Sequence, residues 1–404
     1  MTSLLPLIVS VAISGQPSCV HTEYSVLQYP AGRQLNELFY ERLDAILDGE
    51  TLDLNIWHIG GSHVQAGYFS DRLMNNFFSI APQMKGDRGV IFPYQVAKTN
   101  HYGHYTMQCD GLWKGSRSSA PSPLPVKPRY SITGISAYTS DPSAAIRLKL
   151  GEDEDTEWKF TRLRILGYGS SPDVLPYVLS GTDTLFFSDD AVSSGYILDF
   201  PQSSDSAEIR IRIPQGGYFV LNGIQPLGGR PGINFFCSGV NGARTTTWLD
   251  KCELFDADFA IVHPDVAILA VGINDSSCSA DDFKPEHFKD NYRRLLDIIQ
   301  RNAPDCALIF VTNNDSYRYV GKKYMKHNDN GEAVRQAMFE LAAEYNAAVW
   351  DLFSIMGGNG SAQQWKDEGL LRSDRLHFTR QGYELLGDLL FNAIVQDYNF
   401  TRGR

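Results

Sequence analysis

Clusters of basic residues are missing from this sequence. The chain has 404 residues and a formal net charge of −11, and no stripe of lysine and arginine interrupts that acidic balance. Nothing is therefore present to neutralise a phosphate backbone, which argues against a nucleic-acid partner. Cysteine is scarce: six residues, widely scattered and without a CxxC pair, make neither a disulfide scaffold nor a zinc site, although one or two disulfides have room to form. His101 and His104 form an HxxH pair with no carboxylate or third ligand nearby in sequence, so they read as surface side chains, and no metal or cofactor is expected. Long apolar runs are also absent. The stretch from Leu4 to Ile13 is too short to span a bilayer. It fits the apolar region of an export signal over residues 1–19, without the usual positive start, and Gly15 and Ser18 lie near a cleavage point. A secreted or periplasmic protein is expected, with Cys19 a candidate for lipid anchoring. The competing reading packs this segment on the fold. No internal repeat or low-complexity tract occurs.

What is present falls into two textures. Residues 34–47 carry apolar side chains at helical spacing (Leu35, Leu38, Phe39, Leu43, Ile46, Leu47), and a strand-like run over 52–58 follows. Residues 68–80 again read as helix. From 107 to 229 that spacing gives way to about eight short runs of period two, such as 145–150, 184–187, 196–200, 208–213 and 218–224, parted by Gly, Pro, Ser and Asp, the pattern of a β-sandwich. The Pro/Ser-rich stretch 116–128 reads as the linker into it, and 226–232 as the linker out. Thereafter buried-type strands at 233–237, 266–271, 307–311 and 347–352 alternate with helices at 244–254, 286–301, 332–345 and 380–396. With the first strand this predicts five β-α units. The fold class is α/β, a three-layer α/β/α parallel sheet of flavodoxin-like form, split between 20–106 and 230–404 by a β-sandwich over 107–229.

Ligands of an open parallel sheet sit beyond the carboxyl ends of its strands, and four of those ends carry unusual residues. They are the turn Gly60-Gly61-Ser62, then Ser238-Gly239 followed by Gly242, then Gly272-Ile273-Asn274-Asp275, and Asp374-Arg375-Leu376-His377 before the last helix. In order and setting, Ser62, Gly239, Asn274 and His377 resemble the four blocks that name the SGNH, or GDSL-like, hydrolases. The resemblance covers the chain apart from the insert. It implies Ser62 as nucleophile, His377 as general base, Asp374 as its orienting carboxylate, and an oxyanion hole from Ser62, Gly239 and Asn274. One position departs: Gly61 stands where the family usually has aspartate, which removes a polar side chain beside the nucleophile and adds backbone freedom. Asp275 reads as a loop-holding residue, and His58 and His63 as packed histidines.

The residue types suit the chemistry independently of the family. A serine hydroxyl needs an imidazole to take its proton, and a carboxylate on the other ring nitrogen fixes the tautomer. Charge developing on the attacked carbonyl needs donors already in position. An exported chain of this kind with an inserted sandwich resembles peptidoglycan and plant-polysaccharide O-acetylesterases, and aromatics such as Trp113, Tyr138 and Tyr168 in the insert suit stacking on sugars. The expected function is a serine esterase that removes O-acetyl or other short acyl groups from an acetylated glycan. The alternatives are a non-catalytic glycan-binding protein on the same fold, and a lipase or thioesterase. No apolar stretch near the blocks suggests an acyl groove.

Overall fold

The computed structural model describes residues 8–13, 15, 17–32, 36–101, 103–153, 156–180, 183–321 and 324–403. Its centre is a seven-stranded sheet, built from β1 (Leu27–Gln28), β2 (Asp53–Gly60), β3 (Lys85–Arg88), β4 (Gly232–Gly239), β5 (Val266–Ala270), β6 (Ala307–Val311) and β7 (Ala348–Trp350), in the order β1-β7-β6-β5-β2-β4-β3. Pairing is parallel except where β1 meets β7. Sequence periodicity gave five of these strands. The two it missed are edges: β1 is two residues long, and the polar Lys85–Arg88 has no apolar period, so neighbouring Ile233 and Phe235 of β4 decide its place.

Strands β2, β4, β5, β6 and β7 are almost entirely buried, as expected where helices cover both faces of a parallel sheet. Adjacent side chains of β2 show the two faces. Trp57 packs its ring on Phe255 and Phe259, whereas His58 packs on Phe69 of the opposite layer. The Phe69 layer contains α1 (Asn36–Leu47), α3 (Tyr68–Phe78) and the last helix, α9 (Arg380–Thr401). Arg72 of α3 makes a two-point pair with Asp388 of α9 at 2.6 and 3.0 Å, and Asn76 adds a bond to the same carboxylate, so the two helices are locked by charge as well as by apolar surface. The other layer runs through α4 (Thr245–Lys251), α5 (Pro285–Asn302) and α6 (Gly331–Tyr345). Two short helices, α7 (Leu352–Met356) and α8 (Ser361–Asp367), precede the final loop.

Between β3 and β4 the chain forms a six-stranded and a five-stranded antiparallel sheet. The strand Ala145–Leu150 buries alternate residues, the signature of a sheet with one face on a core. The insert already begins with the strand Tyr105–Asp110, and Lys114–Arg117 is a second strand paired with Ile135–Thr139. Residues 116–128 are therefore part strand, part loop of the insert, and not a linker into it. Proline and serine there mark a loop folded back on the seven-stranded sheet: Ser119 Oγ donates to the Asn241 carbonyl just past β4 at 2.6 Å. The exit is clamped by Asp87, whose carboxylate accepts the backbone N–H groups of Gly228 and Gly229 at 2.9 and 2.8 Å.

The N-terminal apolar segment lies partly outside the described residues, which leave out 1–7, 14 and 16. Its described part rests on α9: Asn399 donates to the Ile8 carbonyl, and Asn392 exchanges two hydrogen bonds with Val11. Among the described residues no helix is long and apolar enough to cross a membrane.

Candidate active site

Strand β2 ends at Gly60, and the four-residue helix α2 (Ser62–Gln65) begins at once, which puts Ser62 at a sharp strand-to-helix turn. Ser62 Oγ lies 3.0 Å from His377 Nε2, and His377 Nδ1 lies 2.8 Å from Asp374 Oδ2. Because the carboxylate accepts from Nδ1–H, Nε2 keeps its lone pair for the Ser62 proton. Asp374 Oδ1 also accepts the backbone N–H groups of Leu376 and His377, both at 3.0 Å. Burial on its own would raise this carboxyl group. The bonds from the His377 imidazole and the two amides outweigh it and hold Asp374 well below the usual carboxylate range.

Bringing residues i and i+3 together this tightly requires a bend, and Arg375 supplies it with φ of +51°, a backbone region that costs energy for any residue but glycine. Three contacts hold it there. The Arg375 carbonyl accepts from Tyr317 N–H, its Nε donates to Gln363 at 2.6 Å, and its guanidinium lies over the Tyr317 ring at 4.6 Å.

A second chain of hydrogen bonds reaches the same loop from behind. Tyr383 hydroxyl donates to His63 Nδ1 (2.9 Å), His63 Nε2 donates to Asn314 Oδ1 (3.0 Å), and Asn314 Nδ2 donates to the Leu376 carbonyl (3.2 Å). Burial lowers His63 to about 3, assisted by the nearby His377, so it stays neutral and works as a fixed spacer. His58, also lowered to about 3 by burial, sits beneath the turn with Ser70 at 2.9 Å. Both are the packed histidines that their surroundings in the sequence suggest.

Asn274 Nδ2 donates to the Ala243 carbonyl at 2.9 Å, which orients the amide and leaves its second N–H for the cavity that Asn274 lines together with Ser62 and His377. Gly61 belongs to this arrangement. A Cβ built on it would stand 3.1 Å from Asn274 Nδ2, so the amide occupies the space beside the turn where a side chain would project. Asp275 does more than hold its own loop. It accepts the N–H and the hydroxyl of Thr245, capping α4, and burial raises it to about 6.

Gly239 meets a different constraint. A Cβ there would fall 2.2 Å from Gln65 N, so only glycine lets α2 sit directly on the end of β4. Gly239 does not line the cavity; Asn241 and Gly242 do. Gln65, which sequence reading passed over, positions that rim by accepting from Asn241 N–H at 2.6 Å and donating to the Asn100 carbonyl at 2.9 Å.

The cavity at Ser62 has a volume of about 450 Å³. A larger one of about 750 Å³ lies on the insert between strands bearing Arg147, Lys149 and Glu208 and shares no lining residue with the cavity at Ser62. At the smaller cavity the Ser62 hydroxyl, the His377 imidazole and the Asn274 amide converge, which makes it the candidate site. His101 and His104 are half-buried and engaged with neighbours rather than free on the surface. His101 stacks on Tyr94 at 4.4 Å and His104 lies 3.0 Å from Asp71, and among the described residues no three His, Cys, Asp or Glu side chains are grouped as metal ligands. All six cysteines are free thiols.

Residues 218–385 match the model of the GDSL-like lipase/acylhydrolase family. Among solved structures, a peptidoglycan O-acetylesterase aligns with 17% identity and a TM-score of 0.73, over 93% of this chain and 99% of its own. A family two carbohydrate esterase from Cellvibrio japonicus (13% identity, TM-score 0.29, 73% of this chain and 99% of that one) and an acetyl xylan esterase (19%, 0.32, 40% and 80%) also align. No curated protein matches. The first alignment shows the fold, a parallel α/β/α sheet with an inserted pair of antiparallel sheets. The family match and that fold support a carboxylic ester hydrolase.

Proposed function

We propose that this chain is a serine esterase that removes O-acetyl or other short acyl groups from a carbohydrate through an acyl-Ser62 intermediate. The observation that carries the reading is the Ser62–His377–Asp374 relay, with contacts of 3.0 and 2.8 Å, opening into a polar cavity. In the first step Ser62 Oγ attacks the ester carbonyl while His377 Nε2 takes its proton. The oxyanion is met by the second Asn274 N–H and by the backbone N–H of Ser62, whereas Gly239, which does not line the cavity, serves by letting α2 sit on the end of β4. As the carbonyl reforms, the sugar hydroxyl leaves with the proton from His377. Water, activated by the same imidazole, then attacks the acyl-serine and releases the acid and Ser62.

Asparagine 274 is expected to matter through transition-state charge. Asn274→Ala should lower kcat by about 10² to 10³ with KM little changed, the effect of losing one preorganised donor. Steady-state kinetics on 4-nitrophenyl acetate check this, and an effect confined to KM contradicts it.

The acyl group is proposed to be short because the residues around Ser62 include Asn100, Asn241, Asn274 and two arginines, which offer a long acyl chain little apolar surface. Across 4-nitrophenyl esters, kcat/KM should peak at acetate and fall at least ~10-fold by octanoate, since each methylene that finds no apolar surface gains nothing from the ~0.8 kcal/mol its burial offers. A rising series assigns the site to lipid or thioester acyl chains instead, and glycan binding without turnover assigns the chain to the binding proteins. Export to the periplasm or beyond is part of the same proposal and rests on residues 4–13. A lipid anchor on Cys19 would have to form on a residue that is 1% exposed, with its carbonyl bonded to Trp365 Nε1.

A further inference from the structure

Arginines in this acidic chain are commonly ion-paired, as Arg72 is with Asp388, Arg164 with Asp190 and Arg335 with Asp351. Two that line the Ser62 cavity are not. Arg117 ends an insert strand, and its guanidinium has no hydrogen-bond or ion-pair partner among the described residues. Arg372 precedes Asp374 and lines the same cavity; its Nε donates to the Phe378 carbonyl at 3.1 Å, which orients the guanidinium and leaves its terminal nitrogens free. Among the described residues no aspartate or glutamate lines the cavity, and Asp374, which bonds the cavity's His377, is engaged with that imidazole and two backbone amides.

Acidic side chains outnumber basic ones in this sequence, 47 to 36, so carboxylates to pair with are in excess. Two guanidinium groups without such a partner on the walls of one cavity, brought there by an insert strand and by the loop before α9, form a positive site beside a neutral nucleophile. A plain acetyl ester of a neutral sugar has no charge to meet them. We propose that Arg117 and Arg372 form an anion-binding subsite, and that the sugar ester acted on carries a carboxylate or phosphate within reach of the acyl group. The planar guanidinium fork binds both anions through paired N–H···O bonds, and the pair orients the sugar so that its ester faces Ser62. The insert then contributes directly to substrate choice, through Arg117. The substrate class named here rests on the esterase reading; the anion site itself does not.

Binding and turnover arms keep the two apart. In the first, methyl glucuronoside, methyl glucoside 6-phosphate and neutral methyl glucoside are titrated into the wild-type protein by calorimetry. At least one anionic sugar should bind ~10-fold or more tighter than the neutral one at low ionic strength, the advantage shrinking in ~0.5 M salt as screening shortens the charges' reach. Whichever anion is preferred identifies the group. Arg117→Gln and Arg372→Gln should each erode that ratio, the double variant should bring it close to one, and Arg117→Lys should retain part of it. Thermal melting of each variant establishes folding, which the exposed Arg372 and the half-buried Arg117 leave intact. In the second arm, the O-acetylated forms of the three sugars are compared as substrates, and the anionic-to-neutral ratio of kcat/KM should respond to the same substitutions. Equal binding of charged and neutral sugars, or a ratio unaffected in the double variant, overturns the subsite. Anion binding that follows the two arginines with no ester turned over would leave the subsite standing and overturn the esterase.

Discussion

Replacing Ser62 by alanine is expected to lower kcat for 4-nitrophenyl acetate by about 10⁴ to 10⁶, the range seen when a serine nucleophile is removed from an intact hydrolase site. The geometry makes this a clean experiment. Ser62 Oγ is bonded to His377 Nε2, and the imidazole is held independently by Asp374 on its other nitrogen. The turn around position 62 is fixed by Gln65 N–H and Ala66 N–H donating to the Gly61 and Ser62 carbonyls, which need no hydroxyl. The variant should therefore melt within a few degrees of the parent and still bind substrate. A residual rate within tenfold of the parent would mean that a different group attacks the ester.

The second large effect belongs to Asp374→Asn, expected to cost about 10⁴ in kcat. The carboxylate accepts from Nδ1–H, so it selects the tautomer with a free lone pair on Nε2. An amide donating to Nδ1 moves the proton to Nε2, which then points a hydrogen at Ser62 and has nothing with which to take one. Asp374→Ala should lose a similar amount and also loosen the bend at Arg375, because Asp374 Oδ1 accepts the amides of Leu376 and His377. This separates wrong tautomer from lost turn: the asparagine variant should keep the parent melting temperature at neutral pH more closely than the alanine variant. The pH dependence has a defined sign. A carboxyl whose folded-state pKa is depressed contributes stability that is fully present above its unfolded value of about 3.9 and is lost as pH falls through the lower folded value. The melting temperatures of parent and Asp374→Asn should thus approach each other as acid is added below pH 4. A gap that widens with acid would contradict the assignment.

The parts of the site that were legible in the sequence are those fixed by local chemistry. Buried apolar runs ending in Gly-Gly-Ser62, Gly239 and Ile273-Asn274 announce parallel strands whose carboxyl ends carry polar residues, and Asp374 and His377 lie close enough in sequence for one turn to join them. Residues brought from afar were not legible. Arg117 reaches the cavity only because the 114–117 strand belongs to the insert, and proline and serine after it read as a linker when the segment in fact returns to Asn241. Gln65 hides in a four-residue helix that has no periodicity, and its bonds to Asn241 and Asn100 span long separations. For Gly61 and Gly239 the residue type was visible but its reason was not. Each answers to an atom of another segment, Asn274 Nδ2 in one case and the Gln65 backbone in the other.

Ser62 Oγ is expected to take the acyl group, and labelling with a fluorophosphonate tests this most directly. Intact-mass and peptide mass spectrometry of the wild-type protein should find one adduct, on the peptide containing Ser62, and Ser62→Ala should take up none. An adduct on another residue, or labelling that persists undiminished in Ser62→Ala, would contradict the account.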